Sequence, residues 1–290
     1  MANLKEIRNR ITSVGSTMQI TSAMKMVSAA KLKRAQDAIT QMRPYSVKLQ
    51  EILSNLSASL DISENALATV RPENKILIIA VTSNRGLCGG FNNNVIKRVN
   101  QAILEDYSSA KVDLICIGKK AKDAFKRSDI YVEASSVGLS EDVFANLGFD
   151  VVATFASYAM EAFLNKEYDK VVVVYNSFIN AASQEVKAEQ LLPIVATVSE
   201  GASIGDYIFE PSKEEIVEDL IPKSIRIQLF KAVLDSYASE HGARMTAMHK
   251  ATDNAKDLKK SLTLSYNKAR QAAITNEILE IVGGAEALNG

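Results

Sequence analysis

Helix-breaking residues are missing from both ends of this chain, and that absence constrains it most. Residues 1–71 contain one glycine, Gly15, and one proline, Pro44; residues 223–282 contain Gly242 and no proline. Both segments are rich in Ala, Met, Leu, Lys and Gln, the residues that least oppose a helix. Leu4, Ile7, Ile11, Val14 and Met18 recur at steps of three and four, a heptad seam that lays one helix along another. Met24, Met26, Val27, Ala30, Leu32, Ile39 and Met42 continue the pattern more loosely, and Pro44 is expected to kink or restart the helix. Near the other end, Leu234, Ala238, His241, Met245, Met248, Thr252 and Ala255 alternate the same steps. Leu258, Leu262, Ser265, Ala269 and Ala272 are expected to carry that seam on after a one-residue phase shift. Small residues at so many seam positions predict a slim coiled coil.

Size then selects the architecture. Helices over 4–56 and 212–287 would be roughly 80 Å and 110 Å long at 1.5 Å per residue. A compact chain of 290 residues has a radius of gyration of only about 19 Å. The expectation is a long antiparallel coiled coil of the N- and C-terminal helices (1–58 with 212–288) around a central globular domain (74–200). Several shorter helices broken at Pro44, Pro222 and Gly242 are the alternative.

Between those segments strands and helices alternate. Lys75–Thr82 reads as a buried strand, followed by a turn over Ser83–Phe91 and a helix over Asn93–Glu105. Val112–Ile117 is a second strand with a short basic helix after it. An amphipathic stretch, Glu141–Tyr168, leads into the strand Val171–Tyr175. This order argues for a Rossmann-like α/β domain with a mostly parallel sheet. Glu200–Asp219 forms an acidic connector.

The sequence offers no active site. The turn Ser83-Asn84-Arg85-Gly86-Leu87-Cys88-Gly89-Gly90-Phe91 lies where a phosphate cradle would be sought, but matches neither GxxxxGK[ST] nor GxGxxG. It reads as a tight turn at a sheet edge. Cys88 as a nucleophile needs a base, and the only histidines, His241 and His249, sit on the C-terminal helix. Eight residues apart, they are not spaced to chelate a metal, so neither metal nor cofactor is expected. Two cysteines, Cys88 and Cys116, exclude a disulfide scaffold. No apolar run is long enough to span a bilayer, so any membrane attachment would run through a partner.

Charge placement says more than the net charge of zero. Residues 1–44 carry Lys5, Arg8, Arg10, Lys25, Lys31, Lys33, Arg34 and Arg43 against Glu6 and Asp37. Residues 241–270 carry Arg244, Lys250, Lys256, Lys259, Lys260, Lys268 and Arg270 against Asp253 and Asp257. A basic rod can be a solvated face, a nucleic-acid grip or the counterpart of an acidic protein sleeve. The absence of interleaved aromatics weighs against nucleic acid.

Several separated segments resemble one family, the gamma subunit of F-type ATP synthase. They are Leu4–Ile11, Ile20–Val27, the turn Gly86-Leu87-Cys88-Gly89-Gly90-Phe91-Asn92, Ser239–Met248, and above all Ile274-Thr275-Asn276-Glu277-Ile278-Leu279-Glu280-Ile281-Val282-Gly283-Gly284-Ala285-Glu286-Ala287. They span essentially the whole chain in order. The resemblance implies a non-catalytic rotor stalk, one copy per complex, inside a ring of alpha and beta subunits. Its globular end would meet the epsilon subunit and the c-ring. It places Met24, Lys25 and Arg244 toward mobile acidic beta-subunit loops. Ile274, Thr275, Glu277 and Glu280 fall in the upper bearing, and Tyr207, Phe209 and Glu210 at the c-ring foot. Ser22 stands where many relatives carry a base, and the cysteine pair of chloroplast relatives is absent, so no thiol switch is expected. Lack of a transit peptide favours a bacterial protein on the cytoplasmic face of the inner membrane.

Overall fold

The structure, a computed structural model, describes residues 4–59, 65–140, 142–194 and 213–289. Its elements are α1 (Leu4–Ser59), β1 (Lys75–Val81), α2 (Phe91–Gln101), β2 (Lys111–Ile117), α3 (Lys119–Phe125), α4 (Phe149–Leu164), β3 (Lys170–Phe178), β4 (Gln184–Leu192) and α5 (Lys213–Asn289). The chain divides into two compact units, residues 1–28 with 245–290, and residues 29–244.

Neither internal proline ends its helix: Pro44 lies inside α1 and Pro222 inside α5. Pro44 and Thr40, whose carbonyl loses its bond to a proline nitrogen, are both exposed, so water can take over that carbonyl. Gly242 is likewise helical, so the broken-helix alternative is excluded for the described segments.

In the first unit the helices pair antiparallel. Thr252 Oγ1 lies 2.8 Å from Thr21 Oγ1, and Gly15 faces the end of the Lys259 side chain. Ile7, Thr21, Ser28, Met248 and Ala255 are buried there, and only two of these side chains are large. The expected phase shift at Leu258 does not occur. Sheltered positions continue at Lys259, Leu262, Tyr266, Ala269 and Ala273, while Leu258, Ser265 and Ala272 are exposed. Lys259 and Tyr266 have apolar stems that can cover a seam while their polar tips reach water, so the geometric period overrides residue type.

The second unit is built on a four-stranded sheet of order β2-β1-β3-β4. β1 pairs in parallel with β2 and β3, and β3 pairs antiparallel with β4. The antiparallel edge strand was not apparent in the sequence, because Gln184–Leu192 is half polar and only its end is buried. Leu77, Ile79 and Val81 face α4 and α5, through Phe155, Ala159, Phe163, Ile225 and Leu229. Ile76, Ile78 and Ala80 face α2 and α3, through Val95, Val99, Ala121 and Phe125. Cover on both faces is why β1 reads as an unbroken apolar run. α2 starts at Phe91, two residues earlier than expected, and ends in a π-turn over Ala102–Asp106. Among the described residues of the amphipathic stretch, only Phe149–Leu164 is helical.

Candidate functional site

The Ser83–Gly90 turn follows the central strand β1, not a sheet edge as its glycines suggested. Asn92 on the first turn of α2 organises it. Its Oδ1 accepts from Ser83 N at 3.0 Å, and its Nδ2 donates to Cys88 Sγ at 3.2 Å. Ser83 Oγ donates to Arg85 O at 2.7 Å. Lys119 N and Lys120 N donate back to Asn84 Oδ1 and Ser83 O, tying the turn to α3. Gly118 is obligatory at this junction: with φ +101°, its Cβ would stand 2.1 Å from Thr82 O.

Within the turn, Leu87 adopts φ +64° and is 67 % exposed. A left-handed leucine costs about 1 kcal/mol and must be held by its surroundings. Arg244 of α5 does the holding. Its guanidinium donates to Gly86 O, to Arg85 O at 3.2 Å, and to Glu240 Oε1 at 2.5 Å. Arg244 and Glu240 are both buried. Burial pushes the Glu240 carboxyl up and the Arg244 hydrogen bond opposes it. The turn thus offers carbonyls to a cation where a phosphate cradle would offer amides to an anion. Burial also raises the Cys88 thiol, and raises that of Cys116 to about 12, so neither is an activated nucleophile. Among the described residues no group of His, Cys, Asp and Glu is arranged to hold a metal ion.

Alongside, Ser239 Oγ donates to Asn176 O at 3.2 Å and Gly242 packs against the Ala181 backbone. His241 is buried edge-on to the Tyr237 ring, its pKa lowered to about 4 by burial and by the charges of Lys31 and Arg244.

The second candidate surface is in the first unit. The antiparallel register sets Leu4, where α1 begins, across from about Ala269. From Ile274 to Ala285 every residue of α5 is exposed, including Ile274, Ile278, Leu279, Ile281 and Val282. At 100° per residue these five side chains fall within an arc of about 160°, as wide as the apolar face of a core helix. Glu277 and Glu280 lie on the opposite side.

The sequence-derived residues therefore separate. Met24 and Lys25 are half-buried on α1 between the buried Thr21 and Ser28. Ile274, Thr275, Glu277 and Glu280 are exposed on α5, roughly 35–45 Å along the coil from the level of Met24. Arg244 belongs to the second unit, with its guanidinium turned inward. Tyr207, Phe209 and Glu210 lie outside the described residues. Sequence reasoning missed Glu240, although its i,i+4 spacing from Arg244 was a usable signal.

A family model described as ATP synthase matches residues 3–288. The chain is 61% identical over 292 residues to the ATP synthase gamma chain of Flavobacterium johnsoniae and 48% over 298 residues to that of Chlorobium phaeobacteroides, covering 100% of both partners in each comparison. It is similar to a chain from the central stalk and c-ring of Tetrahymena thermophila mitochondrial ATP synthase, at 26% identity and TM-score 0.60, covering 80% of this chain and 99% of that one. A chain from the Euglena gracilis mitochondrial enzyme shares the fold at TM-score 0.66 and 24% identity, over 98% and 94% of the two.

Proposed function

The chain belongs to the ATP synthase gamma family, and on that premise we propose that it is the turning central stalk of a rotary ATP synthase. It couples ion flow through a c-ring to ATP synthesis or hydrolysis in a hexamer of alpha and beta subunits. The subunit itself is non-catalytic, and one copy serves each complex. It sits peripherally on the cytoplasmic face of the bacterial inner membrane. No described helix is long and apolar enough to cross a membrane, so its attachment is assigned to the c-ring and epsilon subunit. Tyr207, Phe209 and Glu210 are the proposed foot.

One observation carries the reading: the apolar stripe Ile274–Val282 stands exposed on α5 beyond the level of Leu4, where the described part of its antiparallel partner starts. An apolar face this wide in water marks a surface that a partner covers. A sleeve of alpha and beta subunits is the proposed cover, touching Ile274, Thr275, Glu277 and Glu280. Met24 and Lys25 meet the acidic beta loops lower on the coil, while Arg244 acts through the turn it holds. Contacts between exposed charges are individually worth about 0–1 kcal/mol, which suits a shaft that must leave each orientation. Because the shaft lacks threefold symmetry, it can hold three identical sites in different states.

Reconstitution tests this. Alpha and beta subunits bound to membranes without the chain should hydrolyse ATP without pumping, and adding the chain should restore pumping at one copy per three beta subunits. Failure to restore pumping would refute the proposal. The nucleic-acid alternative has no support in relatives matched over the full chain.

A further inference from the structure

In a doubly wound sheet, ligands occupy the crevice beyond the strand ends where successive crossovers leave in opposite directions. β1 is that switch strand here: α2 crosses over one face toward β2, and the return through α4 to β3 covers the other. α5 reaches this place. Ser239 bonds the end of β3, Gly242 abuts the β3–β4 hairpin, and Arg244 takes the two carbonyls of the turn after β1.

We propose that Glu240 is a positioning residue: by fixing Arg244, it locks the Arg85–Cys88 backbone to α5, so that turn and helix move as one body. The lock's geometry stands by itself, and its consequence for coupling rests on the rotor reading.

Three features carry the argument. Both members of the pair are buried, with side chains 8 % and 9 % exposed, and ions are kept out of water only where their polar ends are used. Arg244 spends its two terminal nitrogens on Gly86 O, Arg85 O and Glu240 Oε1. Without the Glu240 charge the guanidinium is uncompensated, and swinging toward water releases both carbonyls together. The turn they hold is strained at Leu87, so it has a ready direction in which to relax. Cys88, 1 % exposed within the same turn, is a native reporter of that relaxation, and Cys116, buried on β2, is an internal reference.

The experiment measures thiol labelling of both cysteines by peptide mapping in the full-length chain, and ions pumped per ATP hydrolysed in the reconstituted complex. Glu240→Gln is expected to speed Cys88 labelling about tenfold, the scale of a lost charge-assisted hydrogen bond. Cys116 labelling should not change. Glu240→Asp, which keeps the charge on a shorter arm, should fall between. In the complex, Glu240→Gln should at least halve the pumping ratio while ATP hydrolysis persists. Should Glu240→Gln fail to fold, the double variant Glu240→Met with Arg244→Met leaves no buried charge and should still expose Cys88. Unchanged Cys88 labelling, or labelling of both cysteines rising in step, overturns the lock. Faster Cys88 labelling with a wild-type pumping ratio overturns its role in coupling. A wild-type chain that supports no pumping defeats the rotor reading instead and leaves the labelling result standing.

Discussion

Gly15 and Gly242 both lie inside long continuous helices, and alanine at either looks favourable in sequence, since glycine costs a helix interior about 1 kcal/mol. Their surroundings separate them. A Cβ at Gly15 would meet only the flexible tip of Lys259, with Nζ at 3.7 Å and Cε at 3.9 Å, so Gly15→Ala keeps the gain of about 1 kcal/mol. A Cβ at Gly242 would lie 2.9 Å from Ala181 O, 3.3 Å from its Cα and 3.4 Å from its carbonyl carbon. These are backbone atoms of a hairpin closed by Asn180 Oδ1, which accepts from Ala182 N at 2.9 Å and Ser183 N at 2.8 Å. Overpacking of this kind costs about 1–3 kcal/mol, so Gly242→Ala should lose ~0–2 kcal/mol net. The chain has two compact units, so a single unfolding midpoint would blend their responses. Hydrogen exchange resolves them. Gly15→Ala should slow exchange around residues 12–20 about fivefold, the equivalent of 1 kcal/mol. Gly242→Ala should speed exchange around 178–184 and 239–244. Slower exchange in both variants would show that helix propensity alone governs these positions, and the packing argument would fail.

Other expectations follow from single contacts. Thr252→Val removes a hydroxyl bonded to Thr21 in the coil seam and should cost about 1 kcal/mol, read as faster exchange in residues 17–25 but not in the sheet. Asp235 has its pKa raised to about 6 by burial. The folded chain therefore holds this proton while the unfolded chain releases it above its ordinary 3.8, and stability falls as pH rises from about 4 to 6. Asp235→Asn should flatten that part of the pH dependence of exchange protection in the second unit, corrected for intrinsic exchange rates, and raise that unit's stability at pH 7. His241, lowered to about 4, works oppositely: as pH falls from 6.5 toward 4 only the unfolded chain gains the proton, so stability falls with acid. His241→Leu should abolish that loss, and an unaltered acid limb would refute the assignment. Leu279→Asp, on a side chain 63 % exposed, should change the stability of the isolated chain by no more than about 0.5 kcal/mol yet reduce pumping in the complex. Equal pumping would argue against a partner over that stripe.

Much of the architecture was legible because it depends on local periodicity. The steps Leu4-Ile7-Ile11-Val14-Met18 and Leu234-Ala238-His241-Met245-Met248-Thr252-Ala255 mark positions that are buried or half-buried in the structure. The run Lys75–Thr82 announced a buried strand, and β1, Lys75–Val81, is covered on both faces. Less was legible where residue type and position disagree. Leu258 looked like a seam residue and Lys259 a surface one, yet Lys259 is the sheltered position, because a heptad already in register outweighs one leucine. β4 was hidden by its half-polar face.

The candidate sites divide in the same way. The exposed apolar stripe Ile274–Val282 could be seen as a motif, but that nothing described in the chain covers it follows only from where α1 begins. Arg244 read as one more base on a charged rod, and only the folded chain turns it inward against Gly86 and Arg85, with Glu240 beside it. A helical period is set by neighbours three and four residues away, so sequence alone determined the helices and their seam. Arg244 lies 158 residues from its carbonyl partner in the turn, and its burial beside Glu240 depends on where the sheet places the end of β1. Only the tertiary structure could decide that.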